Sequence, residues 1–284
     1  MTTTLRPAGP ERPTPDGGRA RDFTVCVNGR PVGGLELSAG PRASARGGTG
    51  TGRIAALSID EPDRRRGRGT VAALAAEEVL RLWGCARIEV SVPADAAYAL
   101  RLAAALGYVE SARGMLKPLP DAPPHALPAG SLVRPFTAGE YGPWRQLDAK
   151  RYVAALLAHG VPREQAEQRE AAGFDRVLPQ GRDTPGAALY ALVHDGVTVG
   201  RAALRLYDAA DPAVPAYVLS VEVDAAHRGR GHGRTLMLAA ENACREVGST
   251  ALALTVFADN TPAVRLYESL GYRTTLRHLT KTLT

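Results

Sequence analysis

Apolar and polar positions alternate with a period of two over several short stretches of this 284-residue chain, the pattern of half-buried strands. Residues 23–27 and 31–37 alternate on either side of Asn28-Gly29, a strong two-residue hairpin signal. Residues 54–59 read as a further strand, and Ile88, Val90 and Val92 mark another. Between and after them the period lengthens towards 3.6. Residues 70–83 and 96–105 read as helices, the second ended by Gly107. Further on, residues 132–136 form a strand pattern, and Thr137 and Glu140 have capping-box spacing. Trp144, Leu147, Ala154 and Leu157 then share one helical face that stops at Gly160, and Pro162 opens a second helix running to about residue 178. Residues 188–194 and 197–207 flank the turn Asp195-Gly196, residues 217–223 form the next strand, and residues 235–247 are helix formers.

The order of elements recurs. A step of 164 takes Arg64 to Arg228, Gly67 to Gly231, Gly69 to Gly233, Leu106-Gly107-Tyr108 to Leu270-Gly271-Tyr272, and Lys117 to Lys281, with no gap from Ile54 to Leu119. Two copies of one fold follow from so long an ungapped register. Residues 1–21 are rich in Pro, Gly and Arg and read as a disordered arm. The first copy spans 22–119, and a linker at 120–130 carries Pro120, Pro123, Pro124 and Pro128. The second copy spans 131–284. It is longer by a strand and two helices, so the first looks truncated.

The stretch from Val221 to Arg234 is the chemical centre of the second copy. A β-branched run ends at Val223. Arg228, Gly229, Arg230, Gly231, His232, Gly233 and Arg234 then lead into a helix. Unpaired backbone N–H groups and the helix dipole favour an anion there, and glycine lets the backbone approach it. The spacing Arg-x-x-Gly-x-Gly is neither the dinucleotide fingerprint nor a P-loop. It resembles the acetyl-CoA pyrophosphate loop of the GNAT N-acetyltransferases. Asn260, Leu266-Tyr267 and Leu270-Gly271-Tyr272 match that family's ending. The resemblance implies an α/β (α+β) fold of two tandem GNAT-like domains, each a twisted mixed sheet flanked by helices. Its plan is similar to tandem members whose C-terminal half is catalytic. It further implies transfer of an acetyl group from acetyl-CoA to a primary amine of a small molecule or peptide. In the family, the strand and helices missing from the first copy supply much of the acceptor wall.

Three needs of that chemistry can be assigned. Strand alternation places Ser220 and Glu222 opposite Val221 and Val223. A carboxylate on that face can take the proton of an ammonium, although an ordinary solvated glutamate would show the same pattern. By resemblance, the backbone N–H of Val223 is the oxyanion donor, Val221 lies along the coenzyme, and Tyr267 is the acid for the leaving thiolate. Ala263, Tyr267 and Leu270 also have the spacing of plain core. Asn260 either caps the following helix or bonds the pantetheine amide. In the first copy Ile59, Arg64, Gly67, Arg68 and Gly69 retain the phosphate loop, but Ser58, Ala96 and Ala103 stand where Glu222, Asn260 and Tyr267 do. That copy is expected to be catalytically silent, with CoA binding left open.

Composition narrows the alternatives. The net charge of +6 comes almost wholly from arginine, the lysines being Lys117, Lys150 and Lys281. Such a surface attracts anions, and the basic run Arg64-Arg65-Arg66-Gly67-Arg68 raises nucleic acid as a partner. The repeat instead explains these arginines as a diphosphate cradle, so no nucleic acid is expected. Cys26, Cys85 and Cys244 are far apart and odd in number, which predicts reduced, buried thiols in a cytoplasm and no metal site. No apolar run approaches the length of a membrane helix. A non-catalytic CoA-binding or interaction protein is the competing reading, and oligomeric state is not encoded in any pattern found.

Overall fold

The computed structural model describes residues 2–15, 17–40, 50–207 and 214–283. Its chain divides into two compact units, one of residues 1–113 with 275–284, the other of residues 114–274. These bounds differ from the expected cuts at 119 and 131. Each unit completes its sheet with the segment that ends the other copy.

The first unit contains β1 (Thr3–Pro7), β2 (Arg12–Pro13), β3 (Arg19–Val27), β4 (Arg30–Ala39), β5 (Gly50–Ile59), α1 (Arg68–Leu82), β6 (Cys85–Pro93), α2 (Ala97–Ala105) and the start of β7 (Val109–Pro118). The expected disordered arm is therefore structured. β1 pairs antiparallel with β3, Thr3 opposite Val27, and Arg12 forms an ion pair with Asp22. Proline-rich sequence is tolerated there because an edge strand has no need of every N–H. β1 occupies the place beside β3 that the first strand of the second unit occupies beside its hairpin, so the first copy lacks the two helices but not the strand. The hairpin turns on Asn28 and Gly29, both at positive φ. Residues 41–49, between β4 and β5, lie outside the described residues.

The second unit contains the end of β7, β8 (Ser131–Pro135), α3 (Ala138–Ala158), α4 (Arg163–Val177), β9 (Ala187–His194), β10 (Val197–Arg205), β11 (Ala216–Val223), α5 (His232–Glu246), β12 (Ala251–Phe257), α6 (Thr261–Ser269) and the start of β13 (Arg273–Thr282). Its strand order is β8-β9-β10-β11-β12-β7; only β11 and β12 are parallel among the registered pairs of this unit. α3 starts on the expected capping box of Thr137 and Glu140. α5 buries Leu236, Met237, Ala240, Ala243 and Cys244 against the sheet, one stripe of a 15-residue helix.

The completing segments are held alike. In the first unit β13 pairs antiparallel with β6, Leu279 and Leu283 enter the core, and Lys281 Nζ meets Glu77 Oε2 at 2.6 Å. In the second unit Met115 and Leu119 enter the core, and Lys117 Nζ meets both oxygens of Glu241 at 2.7 and 2.8 Å. The proline-rich stretch 120–130 is not a free linker. His125 Nε2 reaches Glu241 at 2.8 Å, and its backbone exchanges hydrogen bonds with the Asn242 side chain. Cys26, Cys85 and Cys244 are free and buried. Among the described residues, no helix is long and apolar enough to cross a membrane.

Candidate active site

β11 and β12 run side by side only from Ala216 to Val218, opposite Leu252 to Leu254. At that point the register with β10 skips Leu219, since Ala203 faces Ser220 and Leu204 faces Val218. A bulge bends its strand, and here the bend coincides with the end of the β11–β12 pairing. Asp224 N–H bonds Val199 on β10 at 3.0 Å, so by alternation the N–H groups of Val221 and Val223 face the parted β12 side. The cleft thus opens onto backbone donors. The first unit repeats the device: β4–β5 skips Ala55, and β5–β6 pairing ends at Ile54.

Below the cleft lies the loop. Gly231, at φ +85°, caps α5, and a Cβ there would meet no atom within 4 Å. The carbonyl-side of the turn is fixed by Arg228, whose Nε donates to Val223 O at 3.2 Å. Arg228, Gly229, Arg230, Gly231 and Arg234 are exposed. Gly233 is squeezed instead: its Cβ would lie 3.1 Å from Leu266 of α6 and 3.8 Å from Val223. This set suits a diphosphate, with open glycine backbone at a helix N-terminus and arginines around it. Arg64, Gly67 and Gly69 repeat the geometry, Arg64 Nε donating to Ile59 O at 2.8 Å. Arg68 does not join that cradle. It is buried in an ion pair with Asp63, which also binds Arg30 at 2.8 Å. His232 holds the corresponding place in the second unit. It is 5% exposed, with its ring 4.9 Å from that of His194. Burial, then the neighbouring His194, His227 and Arg230, hold its pKa below the usual imidazole value.

The two faces of β11 separate as alternation requires. Val221 and Val223 pack with Leu236 of α5. Ser220 and Glu222 face α3: Ser220 Oγ donates to Asp148 Oδ1 at 2.7 Å, and Glu222 Oε2 forms an ion pair with Arg151. The Glu222 side chain is 11% exposed, and its second oxygen, Oε1, is buried without a hydrogen-bond partner. A buried acceptor left unpaired is costly in a folded chain and marks a place where a donor belongs. Burial pushes the Asp148 carboxyl above its usual range.

Asn260 caps α6, its Oδ1 accepting from Ala263 N at 3.3 Å. Tyr267 is 8% exposed, edge-on to Tyr272, and its hydroxyl makes no hydrogen bond among the described residues. Burial raises its pKa to about 12. Three side chains near the cleft escaped the sequence patterns. Arg151 and Asp148 lie on α3, whose period marked only the apolar face. His159 stacks on Phe257 with ring centroids 4.6 Å apart and lies 3.5 Å from Asp259.

A parted pair of parallel strands over an Arg-x-x-Gly-x-Gly helix cap, twice in one chain, defines a tandem fold of the acetyltransferase class. The chain belongs to the acetyltransferase (GNAT) family, whose profile matches residues 6–108 and 149–272. It is an N-acetyltransferase that uses acetyl-CoA. It is 30% identical to a mycothiol acetyltransferase of Thermomonospora curvata, over 90% of this chain and 80% of that protein. It is equally similar, at 30%, to one from a Parafrankia species, over 94% and 89%. The tandem GNAT protein from the clavulanic acid biosynthesis pathway shares the fold, with a TM-score of 0.53 at 24% identity over 95% of this chain and 85% of that one.

Proposed function

We propose that the second unit carries the transfer, acetylating a primary amine by direct attack, and that the first unit is catalytically silent. Acetyl-CoA supplies the acetyl group as a thioester. Gly229, Gly231 and Gly233, with Arg228, Arg230 and Arg234, hold its diphosphate, and Val221 and Asn260 lie along its amide arm. Glu222 takes a proton from the incoming ammonium. The Val223 N–H donates to the oxygen that gains charge as the amine adds, a donor typically worth ~10²–10³ in rate. Tyr267, neutral at any working pH because burial lifts it to about 12, hands its proton to the departing sulfur.

The buried Oε1 of Glu222 carries this reading, because it leaves an unused acceptor on a carboxylate whose residue faces α3. Ser58, Ala96 and Ala103 offer the first unit neither base nor acid. The acceptor is a small molecule or peptide amine. Two relatives named mycothiol acetyltransferase make the reaction in that name the first to try. A thiol-release assay over an amine panel tests the reading. Glu222→Gln should lower kcat by ~10²–10⁴ and Tyr267→Phe by ~10², the low end, since a thiolate leaves readily. Acetyl-CoA affinity should stay within about twofold of wild type, since its anchor lies on loop amides that these changes leave alone. Acetyl-CoA binding with no turnover of any amine would contradict it.

A further inference from the structure

The base assigned above does not stand alone. Arg151 projects from α3 onto Glu222, binding Oε2 and leaving Oε1 buried and free. The neighbouring charges are committed elsewhere. Arg201, opposite Glu222 on β10, bonds Asp224 at 3.0 Å. Asp148, one turn before Arg151 on α3, accepts from Ser220. Arg145 on the same helix pairs with Glu170 of α4 at 2.5 Å. Among the described residues, Arg151 is the cation bound to this carboxylate directly.

We propose that Arg151 is a positioning residue that fixes the orientation and charge of Glu222, an inference that rests on Glu222 being the base. Holding one carboxylate oxygen leaves the other as the sole acceptor for an acceptor ammonium. A guanidinium in contact favours the ionised carboxylate, the form that can take a proton from the ammonium. The same contact weakens it as a base, and the enzyme exchanges basicity for a wider acidic working range. The guanidinium is 45% exposed, so screening trims its effect.

The test uses the full chain with carbon-labelled glutamate, the Glu222 carboxyl signal being identified by its loss in Glu222→Gln. Arg151→Gln should raise the midpoint of that signal by about one pH unit, the low end for a neighbouring opposite charge. Arg151→Lys should return it most of the way, which separates charge from mere packing. The acid limb of kcat/KM should move with the midpoint, measured with acetyl-CoA and whichever amine turns over in the panel. A midpoint unmoved in Arg151→Gln would overturn the positioning role alone. A midpoint that moves without the acid limb would overturn Glu222 as base, and the positioning role with it.

Discussion

At the scale of single residues, the two units place different side chains at equivalent points of the sheet and loop they share. His232 and Arg68 hold equivalent places at the start of their helices, both buried. Arg68 is neutralised by Asp63, whereas His232 sits among His194, His227 and Arg230, which disfavour a charge on it. Its pKa is held below 6.5 in the folded chain. The unfolded chain therefore binds the proton first, so stability is full above about pH 6.5 and falls as pH drops towards the folded value. His232→Gln should flatten that dependence, read from urea unfolding between pH 5 and 7 (about the range in which histidine titrates). The same slope in both proteins would contradict the assignment. Ser220 and Glu222 were legible as one face of β11 because strand periodicity alone separates them from Val221 and Val223. Arg151 was not legible. It contacts Glu222 from α3, 71 positions earlier, a long-range pairing that no local pattern encodes.

At the scale of elements, the bulge and the glycine cap build the cleft. The loop glycines and the helix after them were legible from spacing. The bulges at Ala55 and Leu219 were not, since neither residue type signals one. Gly231→Ala tests the cap. A Cβ there has room, so the cost is backbone strain, ~1–2 kcal/mol for a left-handed residue other than glycine. The variant should also bind acetyl-CoA more weakly, by about tenfold in calorimetry, which corresponds to ~1.4 kcal/mol. Unchanged affinity would place the diphosphate away from this loop. The arm at residues 1–21 was misread for a physical reason. Its arginines and prolines give the composition of a disordered segment, yet pairing of β1 with β3 requires only backbone groups and an edge.

At the scale of the whole chain, the 164-residue step revealed two copies but could not reveal which unit each final strand completes. Lys117 and Lys281, Glu77 and Glu241, Tyr108 and Tyr272 are the same residues at the same offsets. Either pairing of strands would make the same local contacts, so the repeat is silent about the exchange. The energetic consequence is definite. Glu241 is fully buried, and removing a partner from a buried ion pair costs about 3–5 kcal/mol. Lys117→Ala should cost about 3, the low end of that range, because His125 and Arg245 remain beside the carboxylate. Deleting residues 275–284 should unfold the first unit, which loses β13, Leu279, Leu283 and Lys281, and should expose residues 19–105 to protease. Resistance of that region in the truncated chain would contradict the division into units.

The central claim is that the second unit alone performs the transfer, across the cleft between β11 and β12. A structure of the full chain with acetyl-CoA tests it most directly. The account predicts the diphosphate on the amides of residues 229–234 and the thioester carbonyl within hydrogen-bond reach of Val223 N–H, with Tyr267 beside the sulfur. A thioester seated away from Val223, or Tyr267 turned from the sulfur into the core around Tyr272, would contradict it.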